Sequence, residues 1–76
     1  MSLLKHATVK RMMEIVLSDI DDARIAERSA YVMSDEIDRF VTEVIKQAWS
    51  LANHRKSITI KPDDIMIAME IVRRGR

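Results

Sequence analysis

The 76-residue sequence contains no cysteine, one glycine, one proline, and one each of tryptophan, tyrosine and phenylalanine. Without cysteine, the chain can form neither disulfide bridges nor thiolate zinc sites. The two histidines, His6 and His54, lie far apart in the sequence, so we expect no metal site. Because glycine and proline are the residues that most often interrupt helices, their scarcity predicts a chain that is mostly α-helical.

Long apolar runs are also absent, since none approaches the roughly 20 residues that a membrane-spanning helix needs. The N-terminus is too short and too charged for a signal peptide. We therefore expect a soluble intracellular protein with no membrane partner. The net charge is only +1, but residues 54–76 carry six basic and three acidic side chains. Binding to a polyanion would therefore depend on local clusters of charge.

The clearest pattern in the sequence predicts one long helix from Ala26 to Asn53. Its apolar residues recur at spacings of three and four: Ala30, Met33, Ile37, Phe40, Val41, Val44, Ile45, Ala48, Leu51 and Ala52. Such a helix is about 40 Å long, whereas a compact domain of this length is about 25 Å across. Because the rest of the chain is too short to cover this helix, we predict a dimer.

Two shorter helices are predicted on either side of the long one. The first runs from His6 to Ser18, and the last begins at Pro62, whose missing N–H is not needed in a first helical turn. Asp63 and Asp64 complement the helix dipole there. The segment Ile58–Lys61 before it is short and β-prone. Basic residues that suit a helix C-terminus close the chain: Arg73, Arg74 and Arg76.

The stretch from His54 to Ala68 resembles the second loop and third helix of histones, in which a Thr-Ile-x-x-x-Asp-Ile pattern recurs from Thr59 onwards. Counting back without a gap, Arg24 and Ile25 match the Arg-Val or Arg-Phe pair of the histone first loop. Because it has no tails, the sequence resembles an archaeal histone more than a eukaryotic one. The resemblance implies an all-α histone fold over residues 1–76, a single domain that pairs head to tail into a dimer.

The same resemblance implies sequence-independent binding and compaction or wrapping of double-stranded DNA in a cytoplasmic nucleoid. Paired loops and the N-termini of the first helices hold the DNA backbone in this family, and an arginine enters the minor groove. Arg24 matches that arginine, and Thr59 matches the threonine that pairs with it across the dimer. The DNA-binding residues implied are Lys10, Arg11, Arg24, Arg55, Lys56, Thr59 and Lys61.

A contact between dimers is implied by Leu51, His54 and Asp64, which match the four-helix bundle of the family. Through it, homodimers would assemble into tetramers or longer arrays on DNA. Trp49 and the six methionines are expected to pack in the core or in that bundle.

The sequence also departs from the family pattern. Ser57 occupies the place of an arginine that usually bonds the third-helix aspartate, here Asp64, and Arg55 and Lys56 are the candidates to replace it. Ala26 stands where a serine usually caps the long helix, a loss of about 1 kcal/mol. Three acidic residues lie close to the expected DNA surface: Asp19, Asp21 and Asp22.

Other functions are less well supported. The sequence has no glycine-rich loop, nucleophile–base pair or metal cluster, so we expect no enzyme activity, cofactor or small-molecule substrate. One alternative is a histone-fold subunit of a transcription or chromosome complex that binds DNA weakly, which the near-neutral charge and Ser57 favour. Another is a small helical domain that only oligomerises.

Overall fold

The computed structural model describes residues 5–75 as three α-helices, with no strand among them. Helix α1 spans His6–Val16, α2 spans Glu27–His54 and α3 spans Pro62–Arg74. This order of short, long and short helices confirms the predicted all-α class. Residues 1–4 and Arg76, the last of the predicted basic C-terminal residues, lie outside the described residues.

The helix ends differ slightly from those predicted. Helix α1 ends at Val16 rather than Ser18 because the N–H of Ser18 bonds the carbonyl of Ile15, 3.2 Å away, which tightens the chain into a turn. The β-prone segment Ile58–Lys61 forms bends rather than a strand. A strand needs a second strand as its hydrogen-bonding partner, and the described part of one chain offers none.

The chain divides into two compact units, one up to Asp38 and the other from Arg39. In the first unit, Val9 of α1 and Ala30 of α2 are buried. Side chains from both helices line a hollow of about 320 Å³ whose lining residues are all apolar: Val9, Met12, Met13, Val16, Leu17, Met33 and Ile37. This unit therefore keeps an apolar surface that its own residues leave open.

The second unit has a core of small side chains, formed by Val44 and Ala48 of α2 with Ala68 and Val72 of α3. Alanine at two of the four positions allows the helices to pack closely. Larger, partly buried side chains surround this core: Phe40, Leu51, Ile60, Ile65 and Met69. The core holds the end of α2 against α3, and so positions the loop that joins them.

Several large apolar side chains of α2 are not covered by the chain itself. Val41 is 40% exposed, and Ile45 and Trp49 are each 46% exposed. Trp49 is therefore not part of the core of one chain, which was one of its two expected environments. Its packing in the bundle between dimers stays a prediction. Sequence periodicity marks a helix face as apolar, but it does not show whether that face is covered by the same chain or would be covered only by a second chain.

Candidate nucleic-acid interface

The loop from Arg55 to Lys61 joins α2 to α3 and begins with a well-formed helix stop. The N–H of Lys56 donates to the carbonyl of Asn53 at 2.8 Å, and the N–H of Ser57 donates to that of Ala52 at 2.9 Å. These two bonds form a Schellman motif, which satisfies carbonyls at the end of α2. The chain is thereby turned sharply towards α3.

Lys56 adopts the left-handed conformation that this motif requires, with φ of 60°. Glycine usually occupies the position, because a Cβ there crowds the following carbonyl. The turn was not predicted from the sequence, since its usual signal is a glycine and the chain has a lysine there. A basic side chain is thus held at the tip of the loop at a cost in backbone energy.

Asp64 ties the loop to the start of α3. Its Oδ2 accepts a hydrogen bond from the backbone N–H of Lys61 at 2.8 Å and another from Nη2 of Arg55 at 2.5 Å. The Asp64 side chain is only 6% exposed, while that of Arg55 is 41% exposed. In the family pattern an arginine at position 57 makes this contact with the aspartate. Here Arg55, one of the two residues expected to replace that arginine, makes it instead.

The contacts of Asp64 keep its carboxylate ionised. The hydrogen bond from the Lys61 backbone lowers the pKa of the Asp64 carboxyl, burial opposes this, and the Arg55 guanidinium lowers the pKa further. The ionised carboxylate therefore stabilises both the N-terminus of α3 and the loop.

Ser57 organises the centre of the loop. Its Oγ accepts a hydrogen bond from the N–H of Thr59 at 3.0 Å and lies 3.3 Å from the Thr59 carbonyl oxygen. Such a side-chain turn replaces a backbone turn. The three candidate DNA-binding residues Lys56, Thr59 and Lys61 are all exposed. The loop is therefore an ordered segment that presents these side chains to solvent.

The first unit brings together two other candidates for DNA binding. Lys10 of α1 and Arg24 of the first loop line one surface hollow of about 530 Å³, together with Glu14. Arg11 is also exposed on α1. The loop is shaped partly by Asp22, whose φ is 67°, a conformation that aspartate tolerates better than most residues. Lys10 also contacts Glu27 of α2, at 3.0 Å from Nζ to Oε2, which was not predicted from the sequence.

The three residues expected between dimers also lie together. Leu51, His54 and Asp64 line a hollow of about 410 Å³, along with Arg55 and Ile67. His54 is exposed, Leu51 is half-buried and Asp64 is buried. The hollow is continuous with the loop, since Arg55 belongs to both.

The family model of histone-like transcription factors (CBF/NF-Y) and archaeal histones matches residues 3–69. The chain belongs to this family. It is a histone-fold protein, and DNA binding and association with the chromosome are general properties of such proteins. The description of the family names transcription factors and histones and no catalytic activity.

Neither a membrane span nor a metal centre is found among the described residues. None of the helices within residues 5–75 is long and apolar enough to cross a membrane. In the same part of the chain, no three His, Asp or Glu side chains are grouped as metal ligands would be.

Proposed function

We propose that this protein binds double-stranded DNA without sequence preference and compacts or wraps it as an archaeal-type histone of the nucleoid. The observation that carries the proposal is the ordered second loop. The Schellman motif and Asp64 hold it at its two ends, while Lys56, Thr59 and Lys61 are exposed between them. An ordered loop with exposed cations and an exposed hydroxyl group suits phosphate contacts, which carry no sequence information.

We further propose that the DNA-binding unit is a single-domain homodimer. Support comes from the small core of each unit and from the exposed apolar side chains of α2, Val41, Ile45 and Trp49. Pairing the chains head to tail would bring Arg24 of one chain beside Thr59 of the other, as in the family. Sedimentation should give a dimer at micromolar concentration, and the thermal midpoint should rise with protein concentration. A stable folded monomer would contradict this part of the proposal.

The central test is titration of random duplex DNA with the purified protein at several salt concentrations. Affinity should be similar for unrelated sequences and should fall steeply as salt increases. Arg24→Ala should weaken binding to all sequences alike and reduce the salt slope by about 0.9 for each phosphate that is no longer neutralised. Arg74→Ala is the matched control, since it removes the same charge from an exposed side chain at the end of α3. Equal affinity of parent and Arg24→Ala would contradict the role of Arg24.

A second function is favoured by the way two of the candidate cations are already engaged. Arg55 is bonded to Asp64 and Lys10 to Glu27, which reduces the positive charge offered to DNA. A histone-fold subunit that pairs with a different chain in a transcription or chromosome complex would tolerate this. In that case the protein alone would bind random DNA weakly, and a heterologous histone-fold chain would displace the homodimer.

The arrangement of Leu51, His54 and Asp64 around one hollow supports a contact between dimers. We propose that this hollow accepts the same surface of a second dimer, which would extend the assembly to tetramers or longer arrays on DNA. The partner's His54 and Asp64 would then lie close to their counterparts, because a two-fold interface joins identical surfaces.

A further inference from the structure

Lys10, a candidate DNA contact on α1, is already paired with a carboxylate of its own chain. Its Nζ lies 3.0 Å from Oε2 of Glu27, the first residue of α2. Their side chains are 36% and 57% exposed, so the pair is accessible to solvent and to DNA. A carboxylate and a phosphate bind an ammonium group by the same charge-assisted hydrogen bonds. Glu27 is therefore bound to the same ammonium group of Lys10 that a DNA phosphate would bind.

The second oxygen of Glu27 is held as well. Its Oε1 lies 3.4 Å from Nε2 of His6, in the first turn of α1. The imidazole of His6 stacks on the ring of Tyr31, with centroids 4.1 Å apart and planes inclined by 21°. Tyr31 follows Glu27 by one turn of α2, so both rings and the carboxylate form one group. This arrangement keeps Glu27 directed at α1 and positions it beside Lys10.

Lys10 and Glu27 each shift the pKa of the other. The hydrogen bond and the charge of Glu27 raise the pKa of Lys10, with a smaller contribution from Glu14. The hydrogen bond and the charge of Lys10 lower the pKa of Glu27. Both groups are consequently ionised throughout the neutral range, where DNA would be bound. Arg24 lines the same surface hollow as Lys10, so a phosphate held by Arg24 would lie close to this pair.

We propose that Glu27 is an intramolecular competitor of DNA phosphate for Lys10. The inference rests on the proposed DNA-binding function and adds to it a residue that limits affinity. Lys10 must leave Glu27 before it can contact a phosphate, and the carboxylate left behind then repels that phosphate. Glu27 thereby lowers both the affinity for DNA and the number of counterions that binding releases.

The test is a double-mutant cycle on DNA affinity, measured at several salt concentrations. Glu27→Gln keeps the side-chain length and removes the charge. It should bind random duplex DNA about two- to fivefold more tightly, the range expected for breaking an exposed ion pair. Its salt slope should be steeper by about 0.9 for each lysine released. Lys10→Ala should weaken binding, because it removes a candidate DNA contact and leaves the Glu27 carboxylate without its lysine. In that background the gain from Glu27→Gln should be clearly smaller.

Two further variants separate this competition from simpler effects. Glu70→Gln removes the same charge from another exposed pair, since Glu70 lies 3.1 Å from Arg74. Glu27→Asp keeps the charge at the start of α2 but withdraws the oxygens from Lys10 by one methylene. Compared with the parent, Glu27→Asp should therefore show part of the increase in DNA affinity that Glu27→Gln shows, and Glu70→Gln should show none. Circular dichroism would verify that each variant is folded.

The outcomes distinguish this inference from the function on which it rests. If Glu70→Gln gains as much affinity as Glu27→Gln, or if the gain from Glu27→Gln is undiminished in the Lys10→Ala background, the effect is one of general charge and the inference is wrong. If the parent binds DNA and Glu27→Gln binds no better, the inference is wrong while the proposed function stands. If neither binds DNA at low salt, the proposed function is wrong and the inference is wrong with it.

Discussion

Lys56 offers a sharp test of the second loop, because its two expected roles respond differently to substitution. Its φ of 60° lies in the left-handed region, which costs a residue with a Cβ about 1–2 kcal/mol. Replacing it with glycine removes that cost but adds about 0.4–1 kcal/mol of backbone entropy to the unfolded chain. Taking the middle of each range, we therefore expect Lys56→Gly to be more stable than the parent by about 0.8 kcal/mol.

The matched control is Lys56→Ala, which removes the same charge and keeps the Cβ. For a domain of this size the glycine variant should melt roughly 3–6 °C above the alanine variant, as measured by circular dichroism at one protein concentration. Both variants should lose the same DNA affinity, because both lose the ammonium group. A second control is Asp22→Gly, where φ is 67° but aspartate already tolerates the conformation, so a smaller gain is expected.

Two results would refute these roles of Lys56. If the glycine and alanine variants melted together, the left-handed turn would not be strained, or would not form in solution. If both variants bound DNA as tightly as the parent, with unchanged salt dependence, the loop tip would not contact phosphate.

Three further predictions concern Asp64, Ala26 and His54. Asp64→Asn should melt several degrees lower than the parent at neutral pH. The pKa of Asp64 is lower in the folded protein than its ordinary 3.8, so the ionised carboxylate stabilises the fold fully above pH 3.8 and loses this effect as the pH falls through the pKa of the folded state. Acid titration should therefore destabilise the parent more than the variant. Ala26→Ser should restore a cap to α2 and add about 1 kcal/mol of stability, raising the thermal midpoint by about 4–8 °C. His54→Ala should shorten the DNA lengths protected from nuclease and leave the dimer intact, with Asn53→Ala as control; unchanged lengths would exclude the contact between dimers.

The contacts of Asp64 make His54 the better probe of that assembly. Asp64 caps α3 and binds Arg55 within its own chain, so its removal disturbs the loop whether or not dimers meet there. His54 is exposed at the end of α2, and its removal leaves the loop bonds in place. A loss of assembly without a loss of stability can therefore be attributed to His54, but not to Asp64.

The three helices and the family could be predicted from the amino-acid sequence. A helix depends on bonds between residues four apart, so its apolar periodicity and the proline at the start of α3 are visible in the chain. The predicted helix starts and ends agree with the structure to within two residues. The positions of the first and second loops were also predicted correctly, because the Thr59 pattern and Arg24 lie at a spacing that the family shares.

The pairing of the charged side chains could not be predicted in this way, because it depends on how the helices pack. Lys10 and Glu27 are 17 residues apart, and Arg55 and Asp64 are nine apart. Such pairs form only when packing brings the end of one helix beside another, and no local pattern records that. Likewise, periodicity showed that Trp49 lies on a helix, but its exposure depends on which neighbours reach it. Local bonding therefore specifies the helices, whereas packing between them specifies which cations are left for DNA.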